Sequence, residues 1–167
     1  MGDKMTRRIT CISGAILFVL VSVSAAMGAV SRFHVIGTGE EPIVYDRATG
    51  LEWQQVPSHA GSLNWADALS HCENLDWGEG NWRLPDVKEL MTLVDEKKTA
   101  APAINTSFFQ GFSAMGCWTS TTGRALPSAA YVVYFGDFNS TVGRGGMDVL
   151  PKSTSGAAAL CVRTAVK

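Results

Sequence analysis

Catalysis needs a nucleophile, a base or a metal held at fixed spacing, and this sequence comes close in only a few places. Gly111-Phe112-Ser113-Ala114-Met115-Gly116 approaches a nucleophile elbow, in which a strained turn raises a serine for attack on a carbonyl. Its second glycine falls one residue late, so acyl transfer is not expected from it. His34, His59 and His71 have no metal-ligand spacing. Being adjacent, His71 and Cys72 point to different sides of a helix and cannot share one zinc ion. Asp137, Asn139 and Asp148 carry the hard oxygens that calcium takes, but no calcium-loop pattern organises them. The expectation is therefore a chain without catalytic residues, metal or cofactor, with calcium left open as unsupported by any motif.

Residues suited to binding are better represented. Of the five tryptophans, Trp77 lies in the Gly-bearing stretch from Asp76 to Asn81 and is expected to be the exposed one. Arg124, Asn139, Arg144, Asp148 and Lys152 fall in the stretches around Arg124 and from Asp137 to Lys152, both read as loops. Binding residues favour loops held on a rigid scaffold. A ligand site would thus draw on Trp77, Arg124, Asn139, Arg144, Asp148 and Lys152. Gly143-Arg144-Gly145-Gly146 fits either an anion-receiving nest of backbone N–H groups or a plain hairpin tip.

The start of the chain reads as an address. Lys4, Arg7 and Arg8 precede an uncharged run from Ile9 to Val30, and small residues follow its most apolar part. That order is a secretory signal, with Ser24 and Ala26 fitting a cleavage site after residue 26 and cuts after Gly28 or Ala29 as alternatives. Left uncleaved, the run could anchor the chain in a membrane. An exported chain meets oxidising conditions, so cysteines read as disulfides. Loss of Cys11 leaves Cys72, Cys117 and Cys161, an odd number with one free or intermolecular thiol. If Cys72 pairs with Cys161, the closed loop spans 89 residues.

The chain has 167 residues, 46% hydrophobic, with 14 basic and 15 acidic side chains and a net charge of −1. That balance excludes a nucleic-acid binder, which needs a basic face, and the charged fraction is too low for a disordered chain. Without residues 1–26 the chain holds 11 bases and 14 acids, a net of −3. Met27 to Glu96 carries four bases against twelve acids, a net of −8. From Lys97 onward there are seven bases against two acids, a net of +5. The two fields can cancel within one fold. They also suit an anionic ligand near the C-terminal half, or head-to-tail association.

Residues 27–42 read as a polar N-terminal arm and 43–167 as one domain. Ile43 to Tyr45 and Leu51 to Gln54 flank Asp46-Arg47-Ala48-Thr49-Gly50, which predicts a hairpin. Pro57 to Ser62 reads as a loop. Asn64 with Asp67, and Asp86 with Glu89, are helix-start pairs. Trp65, Ala68, Leu69, Cys72 and Leu75 then form one apolar stripe, and Val87, Leu90, Met91 and Val94 a second. Cys117 to Thr121, Ala130 to Phe135 and Ala157 to Val162 read as strands. The order predicts an α+β fold with two helices on a largely antiparallel, curled sheet.

These blocks resemble a family. Asp46-Arg47-Ala48-Thr49-Gly50-Leu51-Glu52-Trp53-Gln54 is similar to the opening D-x-x-T-G-L-x-W motif of the DUF1566, or Lcl C-terminal domain, family. Trp65-Ala66-Asp67-Ala68 with Cys72 and Leu75 resembles its first helix, and Trp82-Arg83-Leu84-Pro85 with Glu89-Leu90 its W-R-L-P-x-x-x-E-L signature. Trp118-Thr119-Ser120-Thr121 and Cys161-Val162-Arg163 resemble its last two blocks, with Leu160 where an arginine is usual. The likeness runs over roughly residues 43–164. It implies a C-type-lectin-like fold, a Cys72–Cys161 bridge, core positions for Trp53, Trp65, Trp82 and Trp118, and Cys117 as the remaining thiol. Lectin-type Glu-Pro-Asn and Trp-Asn-Asp calcium motifs are missing from the sequence.

Family members are bacterial and secreted or surface-exposed, and the best-known one is an adhesin domain that binds sulfated polysaccharide. This chain differs in having no collagen-like region and a negative net charge. The expected function is a non-enzymatic binding or adhesion module for a glycan or surface polymer, secreted, at the cell surface or in the periplasm. The alternative is a structural subunit that assembles with copies of itself through its opposite charges and Cys117. Nucleic acid is not an expected partner, and the membrane is one only through an uncleaved signal.

Overall fold

The computed structural model describes residues 30–37, 42–112, 116–136 and 145–166. The expected export signal over residues 1–26 lies outside them, as do Ser113, Asp137, Asn139 and Arg144.

The hairpin forms as its turn chemistry predicts. β2 (Ile43–Asp46) pairs antiparallel with β3 (Leu51–Gln54), Asp46 opposite Leu51. Asp46 Oδ1 accepts the Ala48 N–H at 3.0 Å, and Gly50 closes the turn at φ +71°. A side chain there would sit in the left-handed region that glycine enters without cost. The stretch read as a polar arm supplies a further strand, β1 (Phe33–Ile36), antiparallel to β2. Only Phe33 of its four residues is buried, so the strand lacks the apolar alternation by which strands are recognised.

Most of Pro57 to Ser62, read as a loop, belongs to β4 (Ser58–Leu63). Asn64 then caps α1 (Trp65–Glu73): its side-chain oxygen accepts the Asp67 N–H at 3.0 Å. α2 (Val87–Met91) starts at Asp86 with a complete capping box, Asp86 and Glu89 each taking the other's backbone N–H. Extended segments follow: β5 (Gly116–Thr122), β6 (Ala129–Tyr134) and β7 (Gly146–Pro151). The final apolar run is not one strand. It divides into β8 (Ala157–Ala159) and β9 (Val162–Thr164).

That division places the two pieces in different sheets. The strand orders are β1-β2-β3-β9 and β4-β8-β5-β6-β7. All described pairings are antiparallel except β5 with β8. Among the described residues the fold is mixed α+β with two helices, as expected, but with two sheets in place of the single one expected. Buried Gln54 holds the crossing between β8 and β9, taking the Cys161 N–H on Oε1 at 2.9 Å and giving its own backbone N–H to the Cys161 carbonyl.

Apolar contact covers both faces of the central strands β8, β5 and β6 of the five-stranded sheet. Neighbouring residues divide between two clusters, Cys117, Val133, Ala158 and Leu160 in one and Trp118, Val132, Ala159 and Cys161 in the other. This is the alternation of a strand buried on both sides. Leu90 and Leu93 complete the first cluster and Ala68 and Cys72 of α1 the second. The family resemblance implied a Cys72–Cys161 bridge, and the two cysteines are joined, with Cα atoms 5.4 Å apart. Closing 89 residues constrains the unfolded chain by up to ~4–5 kcal/mol in the chain-entropy treatment. No helix among the described residues is long and apolar enough to cross a membrane.

Candidate functional site

Lys152 follows the end of β7, and the sheet register brings it to the β5–β6 turn. Its backbone N–H donates to the Ser128 carbonyl at 2.8 Å, and its carbonyl accepts the N–H of Trp65, the first residue of α1, at 3.1 Å. The side chain turns back over α1. Nζ donates to Thr122 Oγ1 at 2.9 Å and stands 3.9 Å from the centre of the Trp65 ring. The Trp65 indole is itself fixed, because Nε1 donates to the Thr119 carbonyl at 2.9 Å. A cation over a tryptophan face is attracted by the ring quadrupole. The ammonium carries three donors and Thr122 takes one, so the group is held in place with capacity to spare.

Lys152 is tied to both ends of the turn that carries exposed Arg124, at Thr122 before it and Ser128 after it. Two predicted residues therefore come together. Asp148, expected in a loop, stands instead on β7, which forms by pairing with β6, opposite Val132 and exposed, with Oδ1 accepting the Val149 N–H. It is four residues from Lys152, roughly 13 Å along an extended chain. Its charge also acts on Tyr134, whose phenol is raised first by burial and then by Asp148.

Trp77 does not join them. α1 spans nine residues, about 13 Å of helix, with Lys152 at its first turn and Trp77 beyond its last. Trp77 is half-buried and meets Trp82 edge to face at 6.3 Å. Its carbonyl accepts Trp82 Nε1 and Arg163 Nη1, each at 2.9 Å. It is thus part of a lid over Arg163. Trp65, expected in the core, is equally half-buried and presents its ring to Lys152.

The residues beneath that lid escaped the sequence reading. Register places His34, Tyr45, Glu52 and Arg163 side by side across β1, β2, β3 and β9, on one face of the four-stranded sheet. Arg163 Nε donates to Glu52 Oε2 at 2.7 Å, and the guanidinium stands 4.8 Å from the centre of the Trp82 ring. Both charged side chains are more than nine-tenths buried. A glutamate in Leu51-Glu52-Trp53 and an arginine after Cys161-Val162 each interrupt an apolar strand. Opposite charges at such positions are the signal that could have paired them.

Asp46 and Glu89 are held below the ordinary carboxylate range by their partners. Burial alone would raise Asp46, but hydrogen bonds from Arg32, Ala48 and Thr49 outweigh it and keep the carboxyl below its ordinary value. Arg83 grips Glu89 through two bonds of 2.6 and 2.7 Å and lowers it likewise.

Cys117 is a free thiol, buried among Leu160, Val133 and Phe135. Burial pushes it up to about 12. A protonated, enclosed sulfur is a poor nucleophile, and it lies on the opposite face of the sheet from Cys72–Cys161. Bridging to another copy through Cys117 would require the core to open, so self-assembly cannot use it in the folded state. Among the described residues no group of three or more His, Cys, Asp or Glu side chains could hold a metal ion.

No curated protein and no solved structure matches the chain. Residues 42–163, most of the chain and every block from the β2–β3 hairpin to Arg163, match the family model of the Lcl C-terminal domain, and the protein belongs to that family.

Proposed function

We propose that the protein is an exported, non-catalytic binding module that takes an anionic glycan or surface polymer on the face formed by Lys152, Trp65, Thr122 and the Arg124 turn. One observation carries the reading. Lys152 is fixed through its backbone at both groups and through its ammonium on Trp65 and Thr122, yet the ammonium keeps unused donors. A cation ordered before the ligand arrives loses little entropy on binding. Arg124 adds a planar fork suited to carboxylate or sulfate. Export is supported by the basic and apolar start of the sequence and by the Cys72–Cys161 bridge. A bridge from the first helix to the segment before the last strand, with two joined sheets, supports a C-type-lectin-like arrangement.

The test is binding of the secreted protein to immobilised acidic polysaccharides against neutral ones. Acidic polymer is expected to bind, more weakly as salt rises. Lys152→Ala is expected to weaken binding about tenfold, the worth of one charge-assisted contact, with a further loss on Arg124→Ala. Absence of binding to any acidic polymer, or binding indifferent to both changes, rejects the proposal.

A further inference from the structure

The row across the four-stranded sheet ends in an open cavity of about 530 Å3 over Tyr45 and Glu52. Cavities of about 300–1,000 Å3 are the usual size for small ligands. The β2–β3 turn walls it at Thr49 and Gly50, β1 at Ile36, and the chain after β9 at Ala165 and Val166. That last wall is pinned, since the Ala165 N–H donates to the Gly50 carbonyl at 3.1 Å.

The polar groups in it are few and placed side by side. Tyr45 and Glu52 are direct cross-strand neighbours on the same face, so their Cβ atoms are about 5 Å apart. Glu52 binds Arg163 through Oε2. Its second oxygen has no partner among the described residues, and neither does the Tyr45 hydroxyl. A carboxylate more than nine-tenths buried thus keeps an unused acceptor at the floor of a solvent-open cavity. That oxygen is reached by solvent through the cavity, where a ligand's donor can take the place of water. Because Arg163 already balances the charge, that donor need not be a cation. The walls from Ile36 and Val166 suit C–H groups.

We infer that the cavity over Tyr45 and Glu52 binds a neutral polyol, the class that includes a sugar ring with adjacent hydroxyls. One hydroxyl donates to the free oxygen of Glu52. The neighbouring hydroxyl accepts from Tyr45, and the ring's C–H face lies on Ile36 and Val166. This site lies on the other sheet from Lys152 and does not rest on the function proposed above.

Saturation-transfer NMR on the whole protein tests it, with the methyl glycosides of glucose, mannose and galactose as probes. At least one glycoside is expected to give ring-proton signals. Tyr45→Phe, which removes one oxygen and keeps the ring, is expected to weaken binding about three- to tenfold. Ala165→Trp fills the cavity from its wall, leaves Tyr45, Glu52 and Arg163 in the sequence, and is expected to abolish the signal. Lys152→Ala is expected to leave it unchanged, which separates this site from the polymer-binding face. No signal from any of the glycosides overturns the inference. So does a signal that Tyr45→Phe leaves intact, or one that butylammonium displaces.

Discussion

Arg163 and Lys152 each lie over a tryptophan ring, and the same contact serves opposite ends in the two places. Arg163 stands over Trp82 with its donors directed to Glu52 and to the carbonyls of Trp77 and Gly80. Little of it meets solvent. Lys152 stands over Trp65 with one bond to Thr122 and its surroundings half-open. Burial makes the first arrangement a joint between β9, β3 and the loop after α1. Partial exposure leaves the second a charge presented to solvent. The type of cation suits each place, since Arg offers a rigid fork that several acceptors can share, and Lys a compact charge with rotatable donors.

Arg163→Ala should break the comparison most strongly. It leaves Glu52 charged, buried and unpaired, and removes the donors that the Trp77 and Gly80 carbonyls use. Losing one partner of a buried pair costs about 3–5 kcal/mol. Urea unfolding should show that loss, whereas the double change Glu52→Leu with Arg163→Met should recover most of it. If the single change costs less than about 1 kcal/mol, a typical surface value, Arg163 is no more structural than Lys152 and the contrast fails.

Gly78→Ala is a milder probe of the same joint, because it moves no charge. Gly78 has φ +59°, and an added Cβ would stand 3.0 Å from Arg163 Nη2. The left-handed backbone alone costs an alanine about 1–2 kcal/mol. A Tm loss is expected with Arg163 retained. An unchanged Tm would show that the loop over Arg163 yields freely and is not part of the joint.

Parts of the fold were legible in the sequence wherever the controlling interactions are local. The Asp46–Gly50 turn closes on itself, Asn64 and Asp86 cap helices three residues away, and the α1 stripe puts Cys72 on the buried side. What was not legible depends on partners far along the chain. β1 carries one buried residue and exists through pairing with β2. β4 pairs with β8 across about a hundred residues, and its residues, Ser58 to Leu63, carry no apolar alternation. The run from Ala157 to Val162 is apolar throughout because successive residues face different clusters, which hides the crossing between sheets at Leu160–Cys161. At the candidate site, only the β6–β7 register reveals that Lys152 adjoins the Arg124 turn. Trp77 and Trp65, expected exposed and core, are both half-buried for the same reason, since a loop rich in glycine says nothing of which ring it folds over.

Lys152→Ala should have the smallest effect on stability and so sharpens the contrast from the other side. The substitution removes a cation–π contact and one hydrogen bond at a half-exposed position. It keeps the backbone bonds to Ser128 and Trp65 that hold α1 and the end of β7 together. Exposed contacts of this kind are worth about 0.5–1 kcal/mol. The unfolding midpoint should therefore shift only slightly, while binding to acidic polymer falls about tenfold. A loss of binding with stability kept is the signature of a residue that serves a ligand. If stability falls as far as in Arg163→Ala, the ammonium is a second structural joint, and the polymer-binding face must be sought elsewhere on the surface.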